Sequence, residues 1–242
     1  MDQEKKYELT EEMRASPTGE VLHRIRALRT FGGVVAGTLG GWIQSEKNLS
    51  QEGTAWVCQN AQVTDDAIVS GNALVCGDAY VTDAAEITGD ANVSGRTMVF
   101  GYAKISEKAM VLGEARVFGR AQILEGAHIF GEAVVSANAV VGGITKVCGN
   151  ARLTENAMVK TNLDYVTVRG FGREQRTTTF FRRQDGSVGV QCGCFYGSLQ
   201  EFREQVRETH GDSKTAKEYL AIADLMELHF AKEGGGDRVR EV

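Results

Sequence analysis

The sequence contains two sets of side chains whose types could carry out chemistry or bind a ligand. His128 is the only histidine between residues 54 and 161, and an imidazole can accept a proton from a hydroxyl or an amine near neutral pH. Farther along, residues 169–183 concentrate arginine and threonine in a chain that is acidic as a whole. Guanidinium forks and hydroxyl groups suit phosphate or carboxylate, so this segment is predicted to bind a small anion or a nucleotide.

Two aromatic residues that follow this segment, Phe195 and Tyr196, could stack on a base or another ring. The alternative interpretation is a solvated edge strand whose arginines pair with carboxylates. The predicted ligand-binding residues are Arg169, Arg173, Arg176, Thr177, Thr178, Thr179, Phe195 and Tyr196.

Thiol groups form a third candidate. Cys192 and Cys194 fall on one face of a predicted strand and, with His210, could be read as part of a zinc site. Only three ligands are visible and their spacing matches no common structural zinc pattern, so we predict no metal and no cofactor. Both cysteines are interpreted as small buried hydrophobic residues.

Composition limits the class of protein. The 242 residues carry 27 Lys and Arg against 32 Asp and Glu, a net charge of -5, which argues against general nucleic-acid binding. No apolar run reaches about 18 residues, so no membrane span is predicted. The polar N-terminus and an odd number of cysteines, five, predict a cytoplasmic protein with free thiols.

Of these side chains, His128 lies within an unbroken six-residue repeat over residues 54–161. The 18 hexads have Val, Ile or Leu at the fourth slot in every case, and Ala at the second slot in all but Thr97 and Thr145. Slots two and four point to the same side of a strand, and Gly at slot six or Asn and Asp at slot one suit a corner. Three hexads would close one triangular coil, which predicts six coils of parallel β-helix.

This repeat resembles the left-handed parallel β-helix of the hexapeptide-repeat proteins. The resemblance implies the left hand, and it implies a homo-oligomer, most simply a trimer. It also implies a possible acyl-CoA-dependent acyltransferase, in which His128 would be the catalytic base. The chain departs from those enzymes because no protruding loop interrupts the repeat and because its one proline, Pro17, lies outside it.

The flanking segments are predicted to be an N-terminal cap, residues 1–53, and a small α+β module with a disordered tail, residues 162–242. Val21 to Leu28 alternates like a strand, and GTLGGW leads to Trp42 and Ile43, which would cover the first coil. This opening, with the polar NLSQEG stretch after it, resembles the YdcK-like enterobacterial β-helix proteins, which are classed as transferases largely by fold.

The C-terminal module is predicted to hold three strands, at 164–170, 177–183 and 187–192, followed by a helix that opens on Ser198 and Glu201. A second helix is predicted to start at Ser213. The RxxTTTFF, CGCFYGSLQEF and THGDSKTAKEYL blocks resemble a segment of phage and prophage proteins of unknown role. A phage-encoded protein would act in the host cytoplasm.

Outward slots of the middle coils form an apolar belt, which predicts a surface for association between copies of the chain. The alternative occupant of this surface is the chain's own C-terminal segment. Cys58 and Cys76 occupy the same slot one coil apart and are predicted to stay free thiols. The belt consists of Met98, Phe100, Met110, Leu112, Phe118, Leu124 and Phe130.

Three functions follow from these features. The favoured hypothesis is a non-catalytic oligomeric binding protein that sequesters a small anionic or nucleotide ligand, since no motif completes an active site. The alternatives are a hexapeptide-repeat acyltransferase and a structural or assembly protein.

Overall fold

The computed structural model describes residues 5–172 and 174–231, which divide into two compact units at Leu163 and Asp164. The first unit is a parallel β-solenoid with an N-terminal antiparallel extension, and the second is a small α+β unit. Within the described ranges, no helix is both long enough and apolar enough to cross a bilayer.

The solenoid is built from two-residue strands that recur every six residues from position 56 to 159. They are β4 (Trp56–Val57), β5 (Gln62–Val63), β6 (Ile68–Val69), β7 (Leu74–Val75), β8 (Tyr80–Val81), β9 (Glu86–Ile87), β10 (Asn92–Val93), β11 (Met98–Val99), β12 (Lys104–Ile105), β13 (Met110–Val111), β14 (Arg116–Val117), β15 (Gln122–Ile123), β16 (His128–Ile129), β17 (Val134–Val135), β18 (Val140–Val141), β19 (Lys146–Val147), β20 (Arg152–Leu153) and β21 (Met158–Val159). Every third strand stacks in parallel with an 18-residue register, so three sheets run along the solenoid.

The interior confirms the predicted fold. Each slot-four residue from Val57 to Val159 is fully buried beside the slot-two layer. Backbone amides bond from coil to coil, as Met98 N donates to the Ala115 carbonyl at 3.1 Å. Positive φ occurs at slot six and not at slot one: Gly95 has a φ of +87°, and a Cβ there would lie 2.5 Å from the Gly113 oxygen.

The solenoid starts earlier than the repeat indicates and has about seven turns. The third strand, β3 (Leu39–Ile43), pairs in parallel with β5, and Leu49 forms a parallel bridge with Val69. Gly41 stands opposite Ala61, where a Cβ would lie 2.7 Å from the Ala61 oxygen. This coil does not show the hexad pattern, because Gly41 takes the place of an alanine and because a 3₁₀ turn spans Glu46–Asn48.

Two antiparallel strands extend the same sheet beyond β3. They are β1 (Tyr7–Ala15), which the sequence analysis does not predict, and β2 (Val21–Ala27). Tyr7 is fully buried, its hydroxyl donates to the Leu49 carbonyl at 2.6 Å, and its ring lies edge-on to Trp56. Together these strands close one end of the solenoid with apolar and aromatic side chains.

A buried lysine anchors this N-terminal extension. The Lys6 ammonium donates to the Ala55 carbonyl at 2.9 Å and to the Glu52 carbonyl at 3.3 Å. Burial, followed by the positive charge of Arg29, lowers the pKa of Lys6 to about 8. The carbonyl contacts supply hydrogen bonds but no compensating negative charge, so burial decides the direction of the shift.

The prediction that Cys58 and Cys76 remain free thiols is wrong in this structure, where they form a disulfide between adjacent coils. Their Cα atoms are 4.8 Å apart because equivalent slots of neighbouring coils are separated by one strand spacing, which lies within the range that a disulfide spans. Cys148, Cys192 and Cys194 are free.

The second unit is a four-stranded antiparallel sheet followed by two helices. Its elements are β22 (Tyr165–Val168), β23 (Thr178–Arg182), β24 (Val188–Cys192), β25 (Phe195–Ser198), α1 (Leu199–His210) and α2 (Lys214–Phe230). The capping box predicted for α1 is present, since Glu201 N donates to Ser198 Oγ and Ser198 N donates to the Glu201 carboxylate. Phe180, Val190 and residues from both helices form its core.

Thr97 provides a test of the interior layer. Its hydroxyl is buried at a slot-two position and has no hydrogen-bond partner among the residues that the structure describes. Thr97→Val should raise the free energy of unfolding by about 1 kcal/mol, because a methyl group replaces an unsatisfied hydroxyl of similar shape. Thr64→Val is the control and should lower it, since the Thr64 hydroxyl donates to Thr82 at 2.8 Å. Urea denaturation followed by circular dichroism measures both; a less stable Thr97→Val variant would contradict the assignment.

The disulfide predicts a thiol count. Protein unfolded in iodoacetamide without reductant should take up three labels, at Cys148, Cys192 and Cys194, and five after reduction. Cys76→Ser should raise the count without reductant from three labels to four, because it releases the Cys58 thiol. Intact-mass spectrometry reads each count directly, and full labelling of the unreduced parent would show that the bond is absent.

Candidate functional site

His128 lies on β16, on the outer face of the solenoid. Its strand is paired on one side with β13 and on the other with β19, which places Met110 and Lys146 beside it in register. The His128 side chain is half-buried, and its imidazole forms no hydrogen bond with the residues that the structure describes. The imidazole is therefore available to an acceptor molecule, but no carboxylate orients it here.

The predicted apolar belt is on the solenoid surface, distributed over all three sheets. Met98 and Phe130 are exposed, at 38% and 37%, and the other five members are half-buried. Phe100 and Phe118 stack on each other at 4.7 Å between ring centroids, so part of the apolar area is covered by neighbours in the same row. Phe130 follows His128 by two residues and shares its face.

The predicted ligand-binding residues of the second unit separate into groups. Arg176, Phe195 and Tyr196 line one cleft. Arg169 is exposed beyond the end of β22 and is not among the residues that line this cleft, while Arg173 lies outside the described residues.

The threonines fall elsewhere. Thr178 and Thr179 are buried in β23, and the Thr178 hydroxyl donates to the Cys192 sulfur at 3.1 Å. Thr177, just before the strand, is half-buried and does not line the cleft. Thr178 and Thr179 are therefore interior residues of the second unit, and they are not among the residues that line the cleft with Arg176.

The cleft has a volume of about 690 Å³ and lies wholly within the second unit. That volume falls in the range of small-molecule sites. One helix contributes polar groups that the sequence analysis did not single out, Gln205 and Thr209, which are bonded to each other at 2.9 Å. Spacing by four residues on α1 places them on one face, but nothing in the sequence shows that this face borders a cleft.

Aromatic rings contribute a large part of the lining of the cleft. Tyr219 is buried, its hydroxyl donates to the Phe171 carbonyl at 3.1 Å, and the His210 ring stacks on it at 6.1 Å. Burial is the largest cause that raises the pKa of Tyr219. The phenol therefore stays neutral and serves as a fixed wall of the cleft.

The thiols do not lie together on one strand face as predicted. Cys192 ends β24, while Gly193 and Cys194 form the two-residue turn into β25, with Gly193 at a φ of +57°. Both cysteines and His210 line the cleft, and Cys194 is exposed rather than buried. Among the described residues, no three His, Cys, Asp or Glu side chains are grouped so as to hold a metal ion.

Comparison with known proteins gives a partial relationship. No protein-family model matches the chain. A protein of Escherichia coli (strain K12) named uncharacterized acetyltransferase YdcK is 43% identical over 75 residues, which cover 28% of this chain and 23% of the relative. The chain thus matches less than a quarter of that protein's length. This similarity and the parallel solenoid together fit a hexapeptide-repeat β-helix protein.

Proposed function

We propose that the protein is an acyltransferase that takes an acyl group from acyl-CoA and uses His128 as its general base. The observation that carries the proposal is the position of the solenoid's single imidazole, half-buried on an outward row and free of internal hydrogen bonds within the described residues. The name of the partial relative, an acetyltransferase, supports the same reaction class.

In the proposed step, His128 removes the proton from an acceptor hydroxyl or amine. The acceptor oxygen or nitrogen then forms a bond to the thioester carbonyl carbon, and the carbon–sulfur bond breaks. The departing CoA thiolate takes the proton back from the imidazolium, so the base is regenerated. Exposed Lys146 beside His128 adds a positive charge that suits the phosphates of CoA.

A base on the outer face of a solenoid needs a second wall to exclude water. The strands recur without insertion from position 56 to 159, so this stretch supplies no long loop to cover His128. We propose that a second copy of the chain supplies the wall, and that the belt residues on the His128 face form the contact surface. Phe130 and Leu112 flank the His128 row and would place the imidazole at the subunit boundary.

The comparison changes the order of the hypotheses. The sequence analysis favours a non-catalytic binding role, but the partial relative carries the name of an enzyme, so acyl transfer comes first. A structural or assembly role is the remaining candidate, and it requires the same association between copies without turnover.

Replacement of the base tests the reaction. His128→Ala should lower kcat by about 100-fold or more with acetyl-CoA and a mixture of amine and hydroxyl acceptors, since general bases contribute on that scale. Released CoA should be measured by chromatography, because the exposed protein thiols would react with a thiol reagent. His229→Ala, at an exposed histidine of α2, is the matched control and should retain the parent rate. Parent turnover that survives His128→Ala would remove the proposed base, and no turnover in the parent would favour a binding or assembly role.

Association through the belt has its own test. The parent should sediment as an oligomer, a trimer by family resemblance, of the 26.2 kDa chain. Phe130→Arg should shift it towards the single-chain mass, because a desolvated, unpaired charge in an interface is costly. Tyr102→Arg, at a 64% exposed aromatic outside the belt, should leave the mass unchanged. Analytical ultracentrifugation decides this, and a monomeric parent would overturn the shared-wall proposal.

A further inference from the structure

The cleft of the C-terminal unit is a second candidate site, independent of His128. We propose that it binds a small ligand in which a planar ring carries an oxyanion, either a carboxylate or a phosphate. The site is assembled from an arginine, two polar side chains of α1 and several aromatic rings, all within the unit that starts at Asp164.

Arg176 supplies the cation. Its side chain is exposed, lines the cleft and forms no ion pair or hydrogen bond with the residues that the structure describes. The guanidinium lies against the turn at Gly193, where a Cβ would stand 2.5 Å from Arg176 Nη1. Glycine at this turn therefore lets the guanidinium approach the backbone while its planar donor fork stays available for a bidentate contact with an oxyanion.

The rest of the lining indicates what the oxyanion is attached to. Phe195 is half-buried and its ring lies 5.7 Å from that of Phe202, while Tyr219 and His210 form a second pair of rings. Aromatic walls favour a flat partner that can stack or meet their edges. A cleft of about 690 Å³ accommodates a ring with one substituent and short polar extensions.

The polar groups limit the ligand's charge. Gln205 and Thr209 can offer neutral hydrogen bonds from α1, whereas Glu174 lines the same cleft two residues before Arg176. A carboxylate close to Arg176, the arginine among the described lining residues, disfavours a ligand with more than one anionic group. The chemistry that fits is thus one oxyanion for Arg176 and a ring for the aromatic wall.

Matched probes test this inference on the full chain by isothermal titration calorimetry. Benzoate and AMP supply a ring with a carboxylate or a phosphate, and benzamide and adenosine are their counterparts without that charge. At least one of the anions should bind about 10-fold or more tightly than its neutral counterpart, because the anion gains charge-assisted hydrogen bonds. Which anion binds separates a carboxylate site from a phosphate site; equal binding of every pair, or none, would overturn the proposal.

Substitution then locates the binding. Arg176→Gln should weaken binding of the anion by about 10- to 100-fold. Arg176→Lys should lose less affinity, because lysine keeps the positive charge but not the planar pair of guanidinium donors. Arg169→Gln is the matched control, an exposed arginine of the same unit that does not line the cleft, and its affinity should equal that of the parent. Equal weakening by Arg169→Gln and Arg176→Gln would place the anion elsewhere. Since the readout is binding and not turnover, failure here leaves the His128 proposal intact, and loss of the His128 proposal leaves this one standing.

Discussion

Two layers of inward side chains, alanine at slot two and a branched aliphatic residue at slot four, make the solenoid possible. Each coil is too narrow to bury its own core, so the interior exists only because every coil places the same small and larger side chains over those of the next. The backbone hydrogen bonds also depend on the adjacent coil. Amides that have no partner within a two-residue strand bond to the following coil, as seen from Trp56 to Val140.

The interior of the coil sets no residue type at the outward slots, and the variety of the side chains there reflects that freedom. The same outward row holds Trp56, Asn92, His128 and Lys146, which have little in common chemically. Equivalent slots are nevertheless held one strand spacing apart, so outward side chains interact in ladders. The Cys58–Cys76 disulfide and the Phe100–Phe118 stack are both products of that spacing. The neighbours of His128 on this surface are the residues at the same slot one coil before and one coil after it, Met110 and Lys146.

The second unit follows a different rule, because its cleft depends on packing between elements rather than on a repeat. The sequence alone could group Arg176, Phe195 and Tyr196. They lie within about 20 residues of one another, and an arginine together with aromatic rings suits an anionic ligand that carries a ring. Gln205, Thr209 and Tyr219 could not be grouped in this way, since their contribution depends on how the two helices pack on the sheet. The threonines of β23 show the converse, because a run of hydroxyl side chains that the sequence indicates is a polar surface is buried in the folded unit.

The hexad pattern by itself determined the parallel solenoid, the inward slots and the outward rows from residue 54 to 161, because a fixed period and a fixed register leave one consistent stacking. The capping box at Ser198 was equally readable, since it is a local hydrogen-bond pattern within four residues. Tertiary structure alone decided the extra coil at β3, the strand β1, the Cys58–Cys76 bond and the cleft. Each of these depends on a distance between segments far apart in the chain, and such distances are fixed by packing and not by local residue type.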